Sequence, residues 1–143
     1  MGFELRAHTA DIAVSATGAS LEATFAAVAD GLAAASCEEI PVDTGERFSL
    51  AVTAESREAL LFDYLDELIY LRDVRAELPV DHRVDSIDVD PATDGADEWH
   101  LEGSTRGVPL AEIDAREVKA VTYSEMRLER ADDGWEAYVV FDV

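Results

Sequence analysis

The closing segment constrains this chain more than any other. Residues Tyr138 to Val143 read YVVFDV, and strand alternation puts Tyr138, Val140 and Asp142 on one face and Val139, Phe141 and Val143 on the other. Both faces are dominated by apolar residues, as an interior strand requires, and a terminal run of this kind frays unless it is docked in a sheet. A second strand-like run spans Val118 to Glu129, and Ala131-Asp132-Asp133-Gly134 between the two carries an Asp-Gly hairpin signal. The last strand is therefore expected to pair antiparallel with the strand that begins near Lys119.

The remaining pattern supplies what such a sheet needs to be covered. IAVSAT, Ile12 to Thr17, alternates as a strand, and Gly18-Ala19-Ser20 breaks it. Ser20 is placed as an N-cap, Glu22 suits the positive end of a helix, and Leu21, Phe25, Val28 and Leu32 recur at helical spacing. Pro41 and Gly45 mark a loop before a strand in which Phe48, Leu50 and Val52 alternate with Arg47, Ser49 and Ala51. Ser56 then caps a longer helix with Leu61, Tyr64, Leu65, Leu68 and Ile69 on its apolar face, closed by Pro79. Further strands are expected at Arg83 to Asp90 and Trp99 to Gly103, joined by the Pro- and Gly-containing loop Pro91 to Asp97. This pattern predicts one α+β domain over residues 1–143, with two helices packed on a largely antiparallel or mixed sheet.

Composition narrows the function classes. With 143 residues and 48% hydrophobic content, the chain can build one sizeable core. No run of about 18 apolar residues or charged-then-apolar leader occurs, which predicts a soluble, cytoplasmic protein with no membrane role. The single cysteine, Cys37, excludes an internal disulfide and a thiolate metal cluster, and is expected to be a small buried filler. Thirty-two acidic residues against eleven basic ones give a formal charge of −21. A fold tolerates that self-repulsion where salt shortens the screening length to about 3 Å at 1 M, which points to a halophile's cytoplasm. The same charge argues against direct contact with nucleic acid, whose phosphates select Lys and Arg, so RNA would be reached only indirectly through a protein partner.

The residues that could carry chemistry lie towards the two ends. His8-Thr9-Ala10-Asp11 precedes the first alternating strand, and read alone it is turn chemistry. Asp142 read alone is a solvent-facing carboxylate, but the α-carboxylate of Val143 stands beside it, and anionic oxygens held together call for a cation. An all-oxygen site suits Ca²⁺ or Mg²⁺, and Mn²⁺ becomes an alternative if His8 joins. Alternation alone cannot bring Asp11 to Asp142, because sheet order decides it. Lys119 is the only lysine among the eleven basic residues. On strand alternation it shares a face with Val121 and Tyr123, a setting for an ammonium that binds phosphate or pairs with a carboxylate. No Gly-rich phosphate loop, paired-histidine helix or nucleophile elbow is present, and His82 and His100 read as surface residues.

Taken together, HTADIAVSATGASLEATFAAVADGL, LLFDYLDELIYLRD, VKAVTY and GWEAYVVFDV resemble the archease family from one end of the chain to the other. The resemblance implies the archease α+β fold and a non-enzymatic accessory role to the GTP-dependent tRNA-splicing RNA ligase. That role is to promote guanylylation of the ligase's active-site histidine and multiple turnover. It further implies that Asp11, Asp142 and the terminal carboxylate of Val143 bind a divalent ion, usually calcium, and that Lys119 is functionally important. The chain departs from the family pattern at Ser124, where a histidine is frequent, and in the loop Ser104 to Glu117. Two competing functions are a general chaperone or modulator of nucleic-acid-processing proteins and a metal-dependent phosphohydrolase, for which His8 is the obvious base.

Overall fold

In the computed structural model, which describes residues 2–7, 11–91 and 97–143, seven strands and two long helices follow one another as β1 (Gly2–Ala7), β2 (Asp11–Gly18), α1 (Leu21–Ser36), β3 (Glu46–Ala54), α2 (Arg57–Arg75), β4 (Glu77–Asp90), β5 (Glu98–Pro109), β6 (Ala120–Ala131) and β7 (Gly134–Asp142). A short 3₁₀ turn, Leu110–Glu112, follows β5. Both expected caps form: the Ser20 side chain accepts from the Ala23 amide and the Ser56 side chain from the Ala59 amide, each at 3.0 Å. Each bond satisfies an amide that the first helical turn leaves without a partner.

The strands form two antiparallel sheets where one was expected, ordered β1-β2-β7-β6 and β3-β5-β4. α1 packs on β1, β2, β4 and β7, and α2 on β3, β4, β5 and β6, so both helices contact both sheets. Their buried faces join the sheets in one core that contains Val14, Phe25, Leu61, Leu65, Leu101, Val139 and Phe141. Arg57, at the start of α2, lies over Trp99 of β5 and Trp135 of β7, 5.9 and 5.0 Å from the ring centres. Alternation shows that each strand has an apolar face but is silent on its neighbours, which is why one sheet could not be told from two.

β7 is an interior strand, flanked by β2 and β6 as its two apolar faces require. Its hairpin to β6 closes on the pair Ala131↔Gly134, so the two turn residues are Asp132 and Asp133, and Gly134 begins the strand. The glycine answers a steric need, because a Cβ at position 134 would stand 2.1 Å from the Gly18 carbonyl oxygen. A similar shift occurs at Pro79, which does not end the second helix but lies within β4 opposite Gly107. α2 stops earlier, at Ala76, which adopts a left-handed backbone with φ 53°. Proline is tolerated in β4 because this is an edge strand, where a missing amide donor costs no ladder bond. Strands β4 and β5 also run longer than their alternating cores suggest, and the connection at 92–96 lies outside the described residues.

Candidate functional site

Asp11 is the first residue of β2 and Asp142 the last of β7, and the register sets them directly opposite each other. Paired residues on neighbouring antiparallel strands carry their side chains on one face with Cβ atoms about 4.5–5.5 Å apart. Ala120, the first residue of β6, is paired with Asp142 from the other side. One position earlier, the Lys119 amide donates to the Asp142 carbonyl at 2.8 Å. Three of the four residues singled out for function are thus gathered at one end of the larger sheet. The fourth, Val143, packs its side chain against the main core, which anchors the backbone next to Asp142.

Exposure at this end is graded. Asp142 and Lys119 are exposed, whereas Asp11 and Val143 are half-buried. Among the described residues no cation pairs with either aspartate, although like charges directly opposite in a sheet destabilise it. Opposed carboxylates without a compensating cation form an oxygen-donor set that would suit a hard divalent ion. His8 and Thr9 lie outside the described residues.

The expected surroundings of Lys119 need correction. Val121 is buried, but the Tyr123 ring stacks on Phe62 of α2 with centroids 4.1 Å apart and planes 2° from parallel. Lys119 itself is exposed at the mouth of the strand. The ladder between β6 and β7 is interrupted from Thr122 to Arg127, with Glu125 at φ 61°, so simple alternation does not run through this stretch.

Arg72 was not singled out in the sequence, yet it helps place Lys119. It is only 6% exposed, donates from Nη1 to the Val118 carbonyl at 2.9 Å, and bonds the Asp73 carboxylate at 3.0 Å. The chain entering β6 is thereby tied to α2 one residue before the lysine. A signal was available, since Arg72 extends the apolar stripe of Leu65, Leu68 and Ile69 at helical spacing.

His82 is also corrected, from a surface residue to one buried in β4. Among the described residues its ring nitrogens make no hydrogen bond of good geometry, and it lines a cavity of about 10 Å³, room for roughly one water, with Leu32, Ser36, Leu68 and Arg72. Its backbone amide donates to the Asp30 carboxylate at 3.1 Å. Burial pushes the His82 pKa down to about 3, so the folded protein holds a neutral ring while the unfolded chain binds a proton below about 6.5. The unfolded state therefore gains protons first as pH falls through this window, and stability drops by up to about 1.4 kcal/mol per pH unit. Burial raises the Asp30 pKa, which works in the opposite sense because the folded state takes up that proton first on acidification. Replacing His82 with leucine is expected to flatten the loss of stability between pH 6.5 and 5, measured by denaturant unfolding at constant salt. An unchanged slope would show that another group carries it.

The fold is that of an α+β protein in which two antiparallel sheets share two helices, with an aspartate pair and a lysine at one end of the larger sheet. Residues 3–143 match the model of the Archease protein family (MTH1598/TM1083). The chain belongs to the archease family. It is 36% identical over 140 residues to the protein archease of Thermococcus gammatolerans, covering 95% of this chain and 94% of the relative. Protein 1598 of Methanobacterium thermoautotrophicum, solved in solution, has a similar fold, with a TM-score of 0.78, 30% identity and 99% of each chain covered. A Thermotoga maritima crystal structure, described as an archease and possible chaperone, superposes with a TM-score of 0.60 at 22% identity over 98% of each chain, a likeness of fold alone. Among the described residues, no helix is long and apolar enough to cross a membrane.

Proposed function

We propose that this protein is a non-enzymatic activator of the GTP-dependent tRNA-splicing RNA ligase, promoting guanylylation of the ligase's active-site histidine and repeated turnover in the cytoplasm. The observation that supports it most directly is the alignment of Asp11 with Asp142 beside Lys119, at the positions the archease resemblance names. Asp11, Asp142 and the terminal carboxylate of Val143 would hold a divalent ion, calcium by preference, with magnesium or manganese as alternatives. When bound, the ion supplies compact positive charge at the sheet end. Lys119, exposed next to it, is suited to contact the phosphates of a nucleotide in the partner's site. The net charge of −21 limits direct contact with RNA, so the ligase is the partner and RNA follows through it.

Reconstitution with the ligase of the same organism in high salt tests this reading. Single-turnover ligation without the protein and many turnovers with it, together with faster guanylylation, are expected. Equal turnover in both mixtures would overturn the assignment. Exposed Tyr70 and Val74 on α2, 59% and 60% accessible, favour a second reading as a general chaperone. That reading requires suppression of aggregation of unrelated clients. The phosphohydrolase reading rests on His8, which lies outside the described residues.

A further inference from the structure

A second cluster of ligand-bearing side chains lies on the smaller sheet, away from Asp11 and Asp142. β4 and β5 pair Asp90 with Glu98 and Asp88 with His100. By alternation these four residues share a face, and it is the face opposite Leu101, which is buried in the core. Asp90 and Glu98 are two like charges set directly opposite in a ladder, an arrangement that destabilises a sheet unless something positive stands between them. The group between them is His100, whose Nε2 is 3.0 Å from an Asp90 oxygen and 3.1 Å from a Glu98 oxygen.

One ring nitrogen can carry only one hydrogen. Two carboxylates approaching it at nearly equal distance must share that hydrogen, and neither receives a full hydrogen bond. A metal ion in the proton's place satisfies all three groups together. The nitrogen and the two oxygens lie within 4.8 Å of one another. Ligands about 2.0–2.2 Å from a common tetrahedral ion stand roughly 3.4 Å apart, so a small adjustment of two exposed carboxylate side chains completes the arrangement. Imidazole with two carboxylates is a donor set for a first-row transition ion, whereas calcium sites are built from oxygen.

We infer that Asp90, Glu98 and His100 form a second metal site, selective for a divalent transition ion such as Zn²⁺, that ties β4 to β5. Asp88, paired with His100, adds negative charge to the same face. Ligation uses the Nε2 lone pair, so the ion and a hydrogen on that nitrogen exclude each other. This site is independent of the proposed ligase role and of the Asp11–Asp142 pair.

The test uses the full chain without an affinity tag, in high salt with excess Ca²⁺ to occupy oxygen-donor sites, titrated with Zn²⁺ by calorimetry. A site that His100→Gln weakens by about tenfold or more is expected, with a similar loss for Asp90→Asn and none for Asp142→Asn. At saturation the His100 ring ¹⁵N resonances should shift as for metal ligation and not as for protonation. Zinc affinity unchanged in His100→Gln, or His100 ring signals unmoved at saturation, would overturn the inference. Circular dichroism checks that each variant is folded, and Asp90→Asn gives the same reading if His100→Gln does not fold.

Discussion

Under the proposed function, Asp142→Asn is expected to lower both divalent-ion affinity and stimulation of ligase turnover by about tenfold or more, while leaving the ion-free fold as stable as before or slightly more so. The two effects run in opposite directions for one physical reason. In the ion-free protein, Asp142 stands directly across from Asp11, and among the described residues no cation lies between them. Neutralising one carboxylate removes the repulsion of a like-charged cross-strand pair, so unfolding should shift to the same or higher denaturant. At the proposed site the ion would lose one anionic ligand, and any gain in stability from added Ca²⁺ should shrink accordingly. Asparagine keeps the size of the side chain, and the Asp142 main-chain bond from Lys119 is untouched. Calorimetry with Ca²⁺, denaturation with and without Ca²⁺, and multiple-turnover ligation together decide it. Undiminished turnover would remove Asp142 from the site, and a fall in ion-free stability would make it a structural residue instead.

Phe141→Ala should cost about 3–5 kcal/mol, a large part of what a domain of this size has to lose. Phe141 is fully buried, lies opposite Ile12 on β2 and Val121 on β6, and belongs to the core that joins both helices and both sheets. An alanine there leaves a cavity bounded by three strands, which cannot collapse without moving the ladder. Because Asp142 follows immediately, the same variant should weaken the proposed ion binding even under conditions where it remains folded. Chemical denaturation in high salt measures the first effect and Ca²⁺ titration the second. A loss below about 1 kcal/mol would mean that the core closes around the gap and that the sheet end is less rigid than the packing implies.

Much of the fold could be read from residue spacing, because the signals concerned are local. Ser20 and Ser56 cap the helices that their positions announce, since the bond each accepts comes from an amide three residues away. YVVFDV is interior because apolar residues on both faces of a strand leave no face for water. Cys37 is buried beside Leu78 and Val108, as a lone small apolar side chain suggests. Local signals failed where a distant partner changed their meaning. Pro79 looked like a helix stop, yet an edge strand of the smaller sheet accommodates it. His82 looked exposed among acidic neighbours, yet packing against α1 and α2 residues leaves it 6% accessible.

The candidate site divides along the same line. Strand periodicity, the lone lysine and the archease resemblance were enough to nominate Asp11, Lys119, Asp142 and Val143, because residue type and order along the chain carry that information. Their meeting at one sheet end depends on β7 lying between β2 and β6 in a register that aligns Asp11 with Asp142. Arg72 holding the Val118 carbonyl, and His100 standing between Asp90 and Glu98, likewise depend on which strands and helices become neighbours. A strand's pattern specifies its faces through the two-residue repeat of the backbone. Its neighbours and register are chosen by the combined burial of all the elements, and no short segment contains that sum.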